Sequence, residues 1–91
     1  MKIEFDLEKG QTNIRKHGVS FEEAKTALYD PFAWVMEDDE SIYETRFLLL
    51  GKSEKSRILL VVYAYRQDEV IRIISARKAT TKEKTQYESG I

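Results

Sequence analysis

The hydrophobic pattern of the chain changes period part-way along it. In Met1–Asp6, Ile3 and Phe5 alternate with charged neighbours, the period of a short, half-buried strand. From Leu7 to Lys16 the residues turn polar and helix-forming, with Leu7 and Ile14 one heptad apart and therefore on one face of a short helix. Gly18 ends that helix, because glycine enters the left-handed closing conformation at negligible steric cost. Ser20 opens the next one: its hydroxyl accepts from a first-turn amide while Glu23 reaches back in a capping box. Phe21, Ala24, Ala27 and Leu28 form one stripe, so a helix over Phe21–Tyr29 packs an apolar face inward until Pro31, the sole proline, stops it.

Four apolar runs follow, at Phe32–Met36, Arg46–Leu50, Arg57–Tyr65 and Val70–Ala76. Their Val, Ile, Tyr and Phe content and short connections suit consecutive antiparallel strands, with "RQDE" turning the last hairpin. The runs "ILLVVYAY" and "VIRIISA" are apolar at nearly every position, which implies a central place or cover on both faces. After Thr80, a candidate cap, helix formers return. The predicted order β-α-α-β-β-β-β-α is that of a single α+β domain with an antiparallel sheet and helices packed on one side.

Composition narrows the chemistry. With 91 residues one core is expected, and the absence of cysteine excludes disulfides, thiolate metal sites and cysteine nucleophiles. The longest apolar run, Ile58–Ala64, is far short of the roughly twenty residues of a membrane span, and no signal pattern opens the chain, so a cytoplasmic protein without membrane contact is expected. The net charge of −1 speaks against nonspecific coating of nucleic acid. It conceals an asymmetry: residues 1–54 hold 7 Lys or Arg against 12 Asp or Glu, and residues 55–84 hold 8 against 3. One pole suits a polyanion and the other a basic partner, unless folding intermingles the two.

Arg66, Arg72 and Arg77 lie on or beside the last hairpin, followed by Lys78, Lys82 and Lys84. A guanidinium presents a planar fork of donors matched to phosphate oxygens. Arg72 and Arg77 are five positions apart and face opposite ways in a regular strand, unless Arg77 lies at a strand end or beyond a bulge. Alternatively, Arg72 pairs with a carboxylate such as Glu83. His17, the only histidine, can exchange protons near neutrality and, with Lys16, donate to a phosphate; equally, "RKHG" places cations where a helix C-terminus favours them. Glu83 and Tyr87, four apart on one helical face, can move a proton near the arginines or merely anchor the helix. Tyr63 and Tyr65 share a strand face and suit either base stacking or the core. The acidic run Glu37–Glu40 lacks the spacing of a cation loop and reads as a solvated turn. No phosphate-binding glycine loop, paired metal-binding histidines or nucleophile elbow is present, and no metal or cofactor is expected.

Taken in order, Phe5 and Asp6, "NIRKHGVSFEEA" (Asn13–Ala24), "VVY" (Val61–Tyr63) and "IRIISARKAT" (Ile71–Thr80), then Glu83 and Tyr87, resemble the BrnT family of toxins from type II toxin-antitoxin pairs. The resemblance implies a RelE-like fold and a ribonuclease that arrests translation. It also implies neutralisation by a BrnA-like ribbon-helix-helix antitoxin in a 2:2 complex, with DNA reached only through the antitoxin. In that picture Arg66, Arg72 and Arg77 line the RNA site with Glu83 nearby. Phe5, Ala64 and Thr81 depart from the family's usual tryptophan, threonine and basic residue.

The expectation is therefore a metal-independent endoribonuclease, with Arg77, Arg72, Glu83 and His17 in the reaction and Arg66, Lys78, Lys82, Lys16 and Tyr87 on the RNA. The competing reading is a noncatalytic protein-binding module that acts as co-repressor with a DNA-binding partner.

Overall fold

The computed structural model describes residues 1–39, 42–67 and 69–90. Its elements follow the expected order: β1 (Lys2–Glu4), α1 (Leu7–His17), α2 (Phe21–Ala27), β2 (Trp34–Asp38), β3 (Arg46–Lys52), β4 (Ile58–Gln67), β5 (Val70–Lys78) and α3 (Thr81–Glu88). The strands form one sheet in the order β1-β5-β4-β3-β2, so β4, apolar at nearly every position, is central. β2 to β5 pair antiparallel, as short connections require, whereas β1 joins β5 in parallel. This edge departs from the all-antiparallel expectation because a long crossover, not a hairpin, joins the two strands.

Register sorts the side chains onto two faces. Leu49, Leu59, Val61, Tyr63, Ile71, Ile73 and Ala76 are buried on the face covered by α1 and α2, with Val19, Phe21, Ala24 and Ala27. Phe21 is 2% exposed, and such burial contributes about 2–3 kcal/mol. Gly51 lets α2 settle: a Cβ there would lie 2.6 Å from the Ala27 carbonyl oxygen.

Three local expectations are corrected. First, Leu7 and Ile14 are 76% and 43% exposed, and α1 instead buries Gly10 and Asn13. The Asn13 amide donates to the carbonyls of Val19 and Ala76, each at 2.8 Å, and accepts from the Ala76 N–H at 3.2 Å. β1 ends beside Arg72, so the side chain of Asn13 takes the place of a neighbouring strand along the upper edge of β5. Second, Ser20 caps α2 by accepting from the Glu23 N–H, but the Glu23 carboxylate does not complete the box. It is buried and held by Arg57 and Ser53, where a charge-assisted network outweighs a single cap bond. Third, α3 does not join the other helices. Tyr87 packs with Leu50, Ile58, Leu60 and Trp34 at one end of the opposite face, because Ala79 is buried there and turns the chain across the sheet. Most of that second face is left open.

The four runs begin or end within a few residues of their predicted places. β2 is displaced towards Asp38 because Asp30 folds the segment after α2 into a turn, accepting from the Phe32 N–H at 2.9 Å. Glu37 and Asp38 of the acidic run are strand residues, not turn; Glu40, and Asp68 of the predicted "RQDE" turn, lie outside the described residues.

Candidate functional site

The β4–β5 register slips between Val62 and Tyr63 and again between Tyr65 and Gln67; between the two arginines lies only the first slip, where Val62 pairs with Ser75 and Tyr63 with Ile73, leaving Ile74 as an extra residue on β5. The slip cancels the odd spacing of the two arginines. Arg77 lies opposite Leu60 and Arg72 opposite Ala64, and both belong to the face turned away from α1 and α2. Leu60 and Ala64 are about 13 Å apart along β4, so the two arginines mark two stations on one open surface.

At the first station, pairing aligns Glu4, Arg72, Ala64, Arg46 and Asp38 across all five strands. A cleft of about 390 Å³ opens there, lined by Lys9, Glu44, Arg46, Arg66 and Arg72 among others. Nη2 of Arg72 donates to both oxygens of Glu44, at 3.0 and 2.9 Å. Nε of Arg46 is 3.7 Å from Glu44 Oε1, and this buried nitrogen has no hydrogen-bond partner among the described residues. Nη1 of Arg66 donates to Glu4 at 2.6 Å.

The second station is built differently. Nη1 and Nη2 of Arg77 meet the two oxygens of Glu83 in a parallel fork at 2.8 and 2.9 Å. Glu83 is itself fixed by a complete capping box, accepting from the Thr80 N–H at 2.8 Å while its own N–H donates to Thr80 Oγ1. The hydrogen bond from Arg77, with backbone help from Thr80 and against the cost of burial, pulls the Glu83 carboxyl down to about 2. A carboxylate that acidic is a poor proton acceptor at neutral pH. Beside it lies a largely apolar pocket of about 230 Å³, lined by Trp34, Met36, Leu48, Leu50, Leu60 and Gln86.

The remaining candidates are scattered. His17 and Lys16 end α1 and line a shallow cleft that shares Lys9 and Ile74 with the Arg72 cleft but not with the Arg77 pocket. Lys78 lies with Lys84 and Arg57 in a separate groove, opposite Leu59 and so off the arginine face; Lys82 is exposed on α3. Tyr87 is taken up by the fold: its hydroxyl donates to Asp30, and burial together with that bond pushes the phenol up to about 12. Tyr63 is buried against Phe47, ring centroids 5.5 Å apart, so it is core, while Tyr65 is half-exposed beside it. Among the described residues no three His, Cys, Asp or Glu side chains are grouped to hold a metal ion, and no helix is long and apolar enough to cross a membrane.

Sequence reasoning missed Arg46, Glu44, Glu4 and Trp34. Arg46 and Glu4 join the site only through cross-strand register, which no local motif encodes.

The family model for the ribonuclease toxin, BrnT, of type II toxin-antitoxin systems matches residues 5–83. The chain belongs to the BrnT family. A 1.1 Å crystal structure of the Brucella abortus ribonuclease toxin, BrnT, matches with a TM-score of 0.68 and 30% identity, covering 89% of this chain and 99% of that one. No curated protein matches. The BrnT match spans the strand residues Arg46, Arg66, Arg72 and Arg77 and reaches Glu83, the residues that build both stations.

Proposed function

We propose that this BrnT-family chain is a metal-independent endoribonuclease that arrests translation in the cytoplasm, restrained by a BrnA-like ribbon-helix-helix antitoxin. The observation that carries the reading is the single open face onto which the extra residue at Ile74 turns both Arg72 and Arg77. The alternation along it, an apolar pocket with Trp34 in its wall, a fixed guanidinium and then a cationic cleft, suits a single strand with a base stacked on the indole while its phosphates meet arginines.

In this reading Arg77 faces the scissile phosphate. The end-on fork is taken by Glu83, and the Nε edge of the guanidinium remains for substrate. The 2′-oxygen attacks phosphorus, the bond to the 5′-oxygen breaks, the 2′-proton is released and the 5′-oxygen takes one up. A donor oriented in advance on the phosphorane contributes roughly 3 kcal/mol. Glu83 is a positioning residue. Arg72 and Arg66 hold a neighbouring phosphate, and Lys16 and His17, in the adjoining cleft, meet the strand further along. The 2:2 complex and the link to DNA through the antitoxin are part of the same reading. The outer strand β2, with Glu37, Asp38 and Asp39 at its end, suits a cationic antitoxin segment.

Incubating the purified chain with an RNA oligonucleotide in EDTA tests the activity. Cleavage that Arg77→Ala abolishes is the expected result; intact RNA, or equal cleavage by the variant, contradicts it. One observation favours the noncatalytic reading: Arg66, Arg72 and Arg77 each face a carboxylate. Expression without antitoxin separates the two, since a nuclease stops growth and a binding module does not.

A further inference from the structure

We infer that Glu44 stands, in the free chain, where an RNA phosphate binds, and that Arg46 and Arg72 form a phosphate clamp from which RNA displaces it. The inference rests on the nuclease reading and concerns the other end of the same face.

Four observations carry it. The contact of Glu44 with Arg72 runs through one nitrogen, not through a fork, and its Oε1 stays 3.7 Å from Arg46 Nε. Its side chain is 34% exposed and it lies outside any strand or helix, so water competes for each of its contacts. Ala64 separates Arg46 from Arg72 in the cross-strand row, and its single methyl leaves room between the two guanidinium groups. Finally, the buried Nε of Arg46 has no acceptor, an unfavourable state that the planar carboxylate does not relieve. A phosphodiester is tetrahedral: one oxygen can take the place of Glu44 on Arg72 while another turns to Arg46 Nε. Arg66 and Lys9, on the walls of the same cleft, add positive charge for the strand on either side.

No bond is made or broken in this exchange; one anion replaces another. Its consequence is that Glu44 opposes RNA binding while Arg46 promotes it. The test uses a fluorescent 2′-O-methyl RNA oligonucleotide, which binds but lacks the attacking hydroxyl, with anisotropy read over a salt series. Glu44→Gln should bind about fivefold more tightly than the wild type at low salt, the scale of a surface ion pair no longer in competition. Arg46→Ala should bind more weakly and lower the log–log salt slope by about 0.7, one phosphate contact on a single strand. Both side chains are at least a third exposed, and circular dichroism confirms that each variant keeps its fold. Unchanged or weaker binding by Glu44→Gln, or an unchanged slope for Arg46→Ala, overturns the clamp. If the wild type still cuts RNA in EDTA, that failure leaves the nuclease reading standing; if it neither cuts nor binds RNA, both fail together.

Discussion

Arg77 and Arg72 belong to one strand and one face, and each meets a glutamate, yet the two pairs are built in opposite ways. Arg77 and Glu83 interlock nitrogen to oxygen in a fork, and Glu83 is anchored again by the cap of its own helix. Arg72 meets Glu44 through a single nitrogen, and Glu44 comes from an irregular segment outside any strand or helix. What separates a structural ion pair from an exchangeable one is therefore not distance, which differs by about 0.1 Å between them, but the geometry of the contact and the regularity of the backbone that presents the carboxylate. A third pair marks the closed extreme: Glu23, 1% exposed, receives Arg57 and Ser53 beneath the surface.

Substitutions should rank along this scale. The largest effect falls on activity: Arg77→Ala removes the fixed donor and should lower single-turnover RNA cleavage by about 10²–10³-fold, against at most tenfold for Arg72→Ala. Equal losses would erase the distinction between the stations. Next, Glu23→Gln should destabilise the fold by about 3 kcal/mol in urea titration, because it leaves the Arg57 guanidinium without its carboxylate. Glu83→Gln should follow at about 2 kcal/mol, discounted for the part of the pair that water reaches. The sign of its pH dependence is fixed. The folded carboxyl is depressed from 4.5 to about 2, so the contribution is complete above pH 4.5 and is lost as pH falls towards 2. The stability gap between wild type and Glu83→Gln should close over that interval. Because Glu83 positions Arg77, the same variant should lose kcat while KM is kept, a split that general destabilisation does not produce. Smallest of all, Glu44→Gln should shift stability by no more than about 1 kcal/mol. A loss near that of Glu83→Gln would mean that the Arg72 pair is structural too.

The architecture was largely legible in the sequence. Strand periodicity, Ser20, Gly18 and Pro31 locate the elements because those signals are local. Two kinds of information were not. One was the face that α1 buries: Leu7 and Ile14 suggested it, but the buried positions are a glycine and an asparagine whose value appears only when β5 offers an edge to bond. The other was register. Arg72 and Arg77 were recognised as candidates, and a strand end or a bulge was named as the condition for their sharing a face, with the strand end favoured; that a bulge at Ile74 does it follows from how β4 and β5 pair. Arg46 and Glu4 escaped notice for the same reason, since cross-strand neighbours are set by pairing and not by sequence distance. The fate of Glu23 was hidden because the acceptor of a capping box and the partner of a distant arginine look alike in one dimension.

The central claim is that the face carries one fixed and one exchangeable glutamate, and single-turnover cleavage tests it most directly. With one RNA oligonucleotide at limiting concentration in EDTA, Glu44→Gln should cut faster than the wild type and Glu83→Gln more slowly. Rates that move in the same direction for both variants would contradict the account.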